Sequence, residues 1–148
     1  MISQKQLKFY RSLKQKKYRR RERKFLIEGV NLVEAALDGF GRLLHVLTTP
    51  ESGEEPRISK LADDARKRGI PVDKLDEKAL RSLCEAVTPQ GVVAVAEMPP
   101  NAAENILHGR DRLILVLDRV SDPGNVGTIL RTAEWFGIGS VVCSRGCA

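Results

Sequence analysis

The stretch RLILVLD (Arg112–Asp118) places apolar residues without the alternation of a strand that faces water on one side. Such a run suits a parallel strand buried on both faces. The loop RVSDPG follows it, then a helix from about Asn125 to Phe136 and a second strand, GSVVCS, so the whole reads as one βαβ unit. Parallel strands cannot be joined by a hairpin, so this unit commits the end of the chain to an α/β architecture. Two strands and one helix cannot cover both faces of a parallel sheet, and a stable domain needs roughly twice that much chain. The expectation is therefore that sequence continues past Ala148 or that a partner supplies the rest.

Upstream, strands and helices alternate as well. Ser3 followed by Gln6 fits a capping box, and Leu7, Tyr10 and Leu13 repeat at helical spacing, which predicts a helix from about Gln4 to Lys17 with a wide basic face. FLIEG (Phe25–Gly29) reads as a short buried strand, Val30–Leu37 as a helix ended by Gly39 and Gly41, and Leu43–Thr49 as a strand. A helix with Ile58, Leu61, Ala62 and Ala65 on one face closes at Gly69. IPVDKL is a short strand, Asp76 caps a helix through about Glu85, and GVVAVAEM (Gly91–Met98) is a valine-rich strand. PPNAAENILHGRD (Pro99–Asp111) has the punctuation of a linker. The alternation predicts α/β throughout, in two pieces: residues 1–98, a linker over 99–111, and 112–148.

Charge divides the chain more sharply than hydropathy does. Residues 1–24 hold eleven of the 25 Lys/Arg against Glu22 alone, a local +10, while the remainder carries fourteen basic and eighteen acidic residues. Clustered cations grip phosphate backbones, so Lys14, Lys16, Lys17, Arg19, Arg20, Arg21, Arg23 and Lys24 are candidate nucleic-acid contacts, with Tyr10 and Tyr18 as stacking partners. The plainer reading is a solvated helical face. Phosphate contacts hold without specifying sequence, so the run points to a nucleic acid without indicating which site.

No apolar run approaches the ~20 residues that cross a bilayer, so no membrane is expected. The charged N-terminus lacks a hydrophobic signal core and reads as mature cytoplasmic sequence. Cys84, Cys143 and Cys147 are an odd count without framework spacing, which suits reduced thiols. Cys143 and Cys147 have no second ligand pair, so no metal is expected. His45 and His108 lack ligand-like neighbours and are taken as structural or exposed.

DPGNVGTILRTAEWFG (Asp122–Gly137) joins a tight turn at Pro123–Gly124 to a helix, with Asn125 as its candidate N-cap. Val126, Ile129, Leu130, Ala133 and Phe136 form an apolar face expected to pack on the sheet. Thr128, Arg131, Glu134 and Trp135 lie on the other side. The loop sits at the carboxyl end of a parallel strand, where open α/β sheets place ligands. It is neither a Walker loop nor a dinucleotide fingerprint. A capped helix with an Arg131–Glu134 surface pair is the bland alternative.

Asn125, Gly127, Arg131, Thr132, Ala133, Phe136 and Gly137 closely resemble the first motif of the SpoU family of RNA ribose 2′-O-methyltransferases, in the SPOUT superfamily, which follows a strand ending in Asp. KKYRRRERKFLIEGVNLVEAAL resembles the start of the family's substrate-binding domain, with Phe-x-x-Glu-Gly after a basic run. TPQGVVAVAEMP (Thr88–Pro99) resembles that domain's last strand, Gln-Gly pair included.

The resemblance implies a small ribosomal-protein-like α/β substrate-binding domain followed by the first part of a SPOUT (trefoil-knot) methyltransferase domain. It implies S-adenosylmethionine as cofactor, RNA as substrate (ribosomal, with transfer RNA as the other candidate) and a homodimer. It makes Arg131 an essential residue, Asn125 an organiser of the active-site loop and Glu134 an orienter of Arg131. Trp135 is left between stacking on a base and packing at a surface. The family's later Gly-Ser-Glu-Gly and Ser-Leu-Asn-Val segments, which cradle the cofactor, do not occur in these 148 residues. The chain thus reads as the N-terminal portion of such an enzyme, inactive by itself, with no cofactor-binding residues of its own. The competing reading is a non-catalytic RNA-binding module.

Overall fold

The computed structural model describes residues 2–39, 42–99 and 113–148, so the expected linker, His108 and Gly41 lie outside the described residues, apart from Pro99. The chain divides into two units, Met1–Pro99 and Pro100–Ala148.

The first unit opens with α1 (Gln4–Ser12) and α2 (Lys16–Glu22), followed by β1 (Lys24–Glu28), α3 (Val30–Asp38) and β2 (Leu43–Thr48). It continues with α4 (Pro56–Lys67), β3 (Val72–Lys74), α5 (Glu77–Arg81) and β4 (Val92–Glu97). The sheet runs β1-β4-β2-β3, with β4 antiparallel to both neighbours and β2 parallel to β3. Central position explains the composition of β4. Val93 and Val95 pack on one side with Leu7, Tyr10, Leu13 and Leu80, while Val92, Ala94 and Ala96 pack on the other with Val33, Ile58, Leu61 and Ala65. The result is helices on both faces of one mixed sheet.

Two expectations are corrected here. The predicted Gln4–Lys17 helix is two helices, because the apolar stripe that would hold it ends at Leu13, which is buried, and the chain turns at Lys14–Gln15. Arg19 Nη1 closes this turn by donating to the carbonyls of Leu13 (3.2 Å) and Lys14 (2.7 Å). β1 is half-buried along its length rather than buried, because it is the edge strand of the sheet. At the other helix ends, Ser3 Oγ accepts the Gln6 N–H, and Asp76 Oδ1 accepts the Ala79 N–H. The Gln6 side chain donates to the Tyr10 hydroxyl at 2.8 Å, so the reciprocal half of the capping box is not used.

The second unit holds β5 (Ile114–Leu117), α6 (Pro123–Trp135) and β6 (Ser140–Cys143), with β5 and β6 parallel from Ile114↔Ser140 to Leu117↔Cys143. The βαβ reading stands, but β5 is not buried on both faces. Leu117 is buried and Leu115 half-buried, whereas Ile114 and Val116 are exposed, since α6 covers only the alternate positions. On α6, Ala133 is buried and Val126 and Ile129 are half-buried, while Leu130 and Phe136 lie exposed instead of completing the expected packed face. Positions 126, 129 and 133 follow one narrow helical stripe, and 130 and 136 flank it.

Candidate functional site

The start of α6 is built by Asp122, not by Asn125. Asp122 is extended (φ −80°, ψ 122°) and its Oδ1 accepts the Asn125 N–H at 2.7 Å, with Pro123 in the first turn. Asp and Asn cap equally well, and Pro123 decides between them because its fixed φ suits the first helical position. Asn125 therefore sits inside the first turn, exposed, and its carboxamide has no partner among the described residues.

One turn on, Arg131 Nη2 donates to Thr128 Oγ1 at 3.3 Å, and the Thr128 hydroxyl in turn donates to the Gly124 carbonyl at 2.9 Å. The expected Arg131–Glu134 contact is not formed among the described residues. Helical side chains lean toward the N-terminus, so a partner at i−3 is favoured over one at i+3. Gly127 belongs to the same arrangement, since a Cβ there would stand 3.8 Å from Arg131 Nη1. The guanidinium thus lies back along the helix toward its N-terminus, where orphan N–H groups and the helix dipole already favour an anion. Thr128, Arg131, Thr132 and Trp135 line a shallow open groove, and Trp135 is 87 % exposed.

The strand ends beside this helix are tied together by a link that the sequence reading missed. Ser144 Oγ donates to Asp118 Oδ1 (2.8 Å) and accepts the N–H of Arg119 (3.0 Å), a residue with φ +53°. Cys147 Sγ donates to the Leu117 carbonyl at 3.4 Å. Burial, and then the neighbouring Cys147, raise the Cys143 thiol above its ordinary range. Among the described residues no group of His, Cys, Asp and Glu could hold a metal ion.

In the first unit the basic run divides into fixed and free cations. Lys14 Nζ donates to the Cys84 carbonyl (2.7 Å), Arg23 Nη2 to those of Pro99 (2.5 Å) and Met98 (3.4 Å), and Arg21 pairs with Glu22 (2.7 Å). Lys17 Nζ and the Arg21 guanidinium each lie 4.9 Å from the Tyr18 ring centre, and Lys24 Nζ lies 5.7 Å from that of Phe9. Lys16 and Arg20 are exposed with no partner among the described residues. Tyr10, expected as a stacking candidate, is instead buried, and its hydroxyl meets His45 Nδ1 at 2.8 Å. Burial raises the Tyr10 pKa and lowers that of His45, with Asp73 opposing the latter. With the Tyr10 hydroxyl donating, the proton of the neutral ring sits on Nε2, which faces Asp73 Oδ2 at 3.3 Å.

The two glycine pairs of this unit have structural work. Glu28 accepts the N–H groups of Glu85 (2.8 Å) and Ala86 (3.2 Å). Gln90 Oε1 accepts the N–H of Val30 at 2.8 Å, capping α3, and Gly29 leaves the room for it. Gly91 makes the same allowance for Ser52, whose Oγ donates to the Gly91 carbonyl at 2.6 Å.

Comparison with known proteins decides what these pieces belong to. Residues 4–94 match the MRM3-like substrate binding domain, and residues 112–148 match the SpoU rRNA Methylase family. The chain belongs to the SpoU family. It is 35 % identical over 142 residues to the 23S rRNA (guanosine(2553)-2′-O)-methyltransferase RlmP of Bacillus subtilis, covering 96 % of this chain and 52 % of that protein. Among solved structures, the AdoMet-bound rRNA methyltransferase from Sinorhizobium meliloti matches with a TM-score of 0.78 at 30 % identity, covering all of this chain and 54 % of the other. The SpoU methyltransferase AviRb from Streptomyces viridochromogenes, in complex with AdoMet, matches with a TM-score of 0.83 at 25 % identity, over 97 % of this chain and 54 % of the other. This SpoU chain spans about half the length of RlmP and of both solved relatives.

S-adenosylmethionine use is a property of the family. Around Arg131 the described residues of the second unit frame a shallow groove.

Proposed function

We propose that this chain supplies the RNA-holding unit and the Arg131-bearing helix of a ribosomal RNA ribose 2′-O-methyltransferase that uses S-adenosylmethionine and works as a homodimer. The observation that carries the reading is the pairing of matches: a substrate-binding domain over residues 4–94 and the SpoU segment over 112–148, in one chain. RlmP and the Sinorhizobium meliloti enzyme are rRNA methyltransferases by name, which favours rRNA over transfer RNA. The exposed Trp135 and Phe136 on α6 support an assembly in which that surface is covered.

Arg131 holds the phosphate beside the target ribose and stabilises negative charge as it develops on the 2′-oxygen. A guanidinium with a pKa above ~12 stays charged, so it serves as an electrostatic clamp and not as a proton acceptor. Thr128 keeps the guanidinium at the helix N-terminus, where Asn125 completes the polar rim. Lys16 and Arg20 contact the RNA backbone, alongside the fixed charges of Lys14, Lys17, Arg19, Arg21, Arg23 and Lys24. Glu134 has no place in this clamp.

The test is methyl transfer by the whole protein that carries this chain, from tritiated S-adenosylmethionine to unmodified ribosomal RNA. Label retained in alkali-resistant dinucleotides marks a blocked 2′-hydroxyl. Arg131→Lys is expected to keep RNA affinity within a few-fold and to lose rate by about 10²–10³, as when one oxyanion donor is removed. RNA binding without any transfer under these conditions supports the non-catalytic module instead.

A further inference from the structure

β1 is the edge of its sheet, and its outer side pairs with no strand among the described residues. A groove of about 570 Å³ runs along that edge, within the ~300–1,000 Å³ of small-ligand clefts. Its apolar lining comes from both faces of the strand, with Leu13, Leu26 and Leu83 on one side and Phe25 and Leu32 on the other. A second groove at the start of α3 shares Glu28 and Leu32 with the first. Among the described residues of this unit, the large apolar side chains left exposed are Leu32 (61 %) and Val87 (93 %), and Val87 follows directly on Ala86 of the second groove.

The rim of the first groove is cationic. Lys14 and Arg19 line it, each held in place by a backbone carbonyl, the exposed Glu85 stands at its far end, and the free cations Lys16 and Arg20 on the neighbouring helical segment keep the local balance positive. Glu28, the acidic residue common to both grooves, has its carboxylate occupied by two backbone N–H groups. Three features therefore coincide: an apolar slot, the outward N–H and C=O groups of an edge strand, and fixed positive charge at the mouth. A duplex offers its phosphates to the third feature alone. A single strand offers a base face to the slot, a base edge to the backbone groups and phosphates to the rim.

We propose that the groove along β1 and the start of α3 receives an unstacked base of single-stranded RNA, with Leu32 as its apolar platform. This rests on the RNA reading above and adds to it where, and in what form, this unit meets its substrate. An extended peptide adding to the β1 edge is the other occupant such a slot can take, and the neighbouring cations Lys16 and Arg20 favour the polyanion over it.

The experiment uses the 148-residue chain and a fluorescein-labelled single-stranded RNA of about ten nucleotides, beside a duplex of the same sequence. Leu32→Asp is expected to weaken single-strand binding by about tenfold or more, the loss of one base stack, and to leave duplex binding within about twofold. Leu32 is mostly exposed, so folding should survive, and circular dichroism checks it. Independently, 4-thiouridine in the single strand should crosslink within residues 25–32 or 83–86. Unchanged single-strand affinity in Leu32→Asp, or equal loss of duplex binding, overturns the groove. If the double variant Lys16→Glu/Arg20→Glu then loses binding, the RNA reading stands without the groove. Wild-type chain that binds neither RNA refutes both, and an apolar peptide that crosslinks to β1 where RNA does not replaces the proposal with strand addition.

Discussion

Gly29→Ala tests why a Glu-Gly pair ends β1. Gly29 sits at φ +92°, ψ 151°, a conformation that is essentially glycine-only and costs about 1–3 kcal/mol for other residues. An added Cβ would also stand 2.9 Å from Gln90 Oε1, the acceptor that caps Val30 N. Gln90 can swing away, at the loss of that cap, worth about 1 kcal/mol. The expected destabilisation of the first unit is therefore about 2–4 kcal/mol, or roughly 10–30 °C in Tm for a unit of this size. Native-state hydrogen exchange at Val93 and Val95 reads it cleanly, since these central-strand amides open only when the unit unfolds. Gln90→Ala alone should cost about 1 kcal/mol, and adding it to Gly29→Ala should cost almost nothing more, because the bond is already broken. A Gly29→Ala protein within about 0.5 kcal/mol of wild type, or fully additive variants, would refute the reasoning.

Three further outcomes follow from the same contacts. Asp122→Ala should lower the local stability of α6 by about 1 kcal/mol, read as faster exchange at Val126 and Ile129, whereas Asn125→Ala should leave that exchange nearly unchanged. The depressed His45 pKa means that the unfolded chain takes up a proton first, so His45's contribution is complete above about pH 6.5 and is lost as pH falls below it. Urea titrations between about pH 7 and 5 should show that slope, up to about 1.4 kcal/mol per unit, and His45→Asn should flatten it. Removing Lys16 and Arg20 together should lower the salt dependence of RNA binding by one to two phosphate contacts, about 0.7 per contact for a single strand, and an unchanged slope would place the backbone elsewhere.

Much of the fold was legible because periodicity and burial agree in the first unit. Ile58, Leu61, Ala62 and Ala65 announce α4, and the valines of β4 announce a strand. The break between α1 and α2 was not, since it depends on Arg19 reaching back to carbonyls six and five residues earlier, a contact with no signature in a run of like charges. The cap of α6 was legible in Asp122-Pro123, the stronger helix-start signal, whereas Asn125, also a favoured N-cap type, lies inside the first turn. β5 misled for a different reason. A run apolar on both sides says that both faces will be covered, and says nothing of which residues cover the second. At the candidate site, the sequence placed Arg131 on the right helix, but its partner depended on the lean of helical side chains toward Thr128.

The most direct test of the central claim is a map of 2′-O-methyl groups in ribosomal RNA from cells carrying the wild-type gene and cells carrying the Arg131→Ala allele, expressed to equal levels. The account predicts that one ribose methylation disappears in the variant while RNA binding by the purified protein persists. A methylation map identical in the two strains would contradict it.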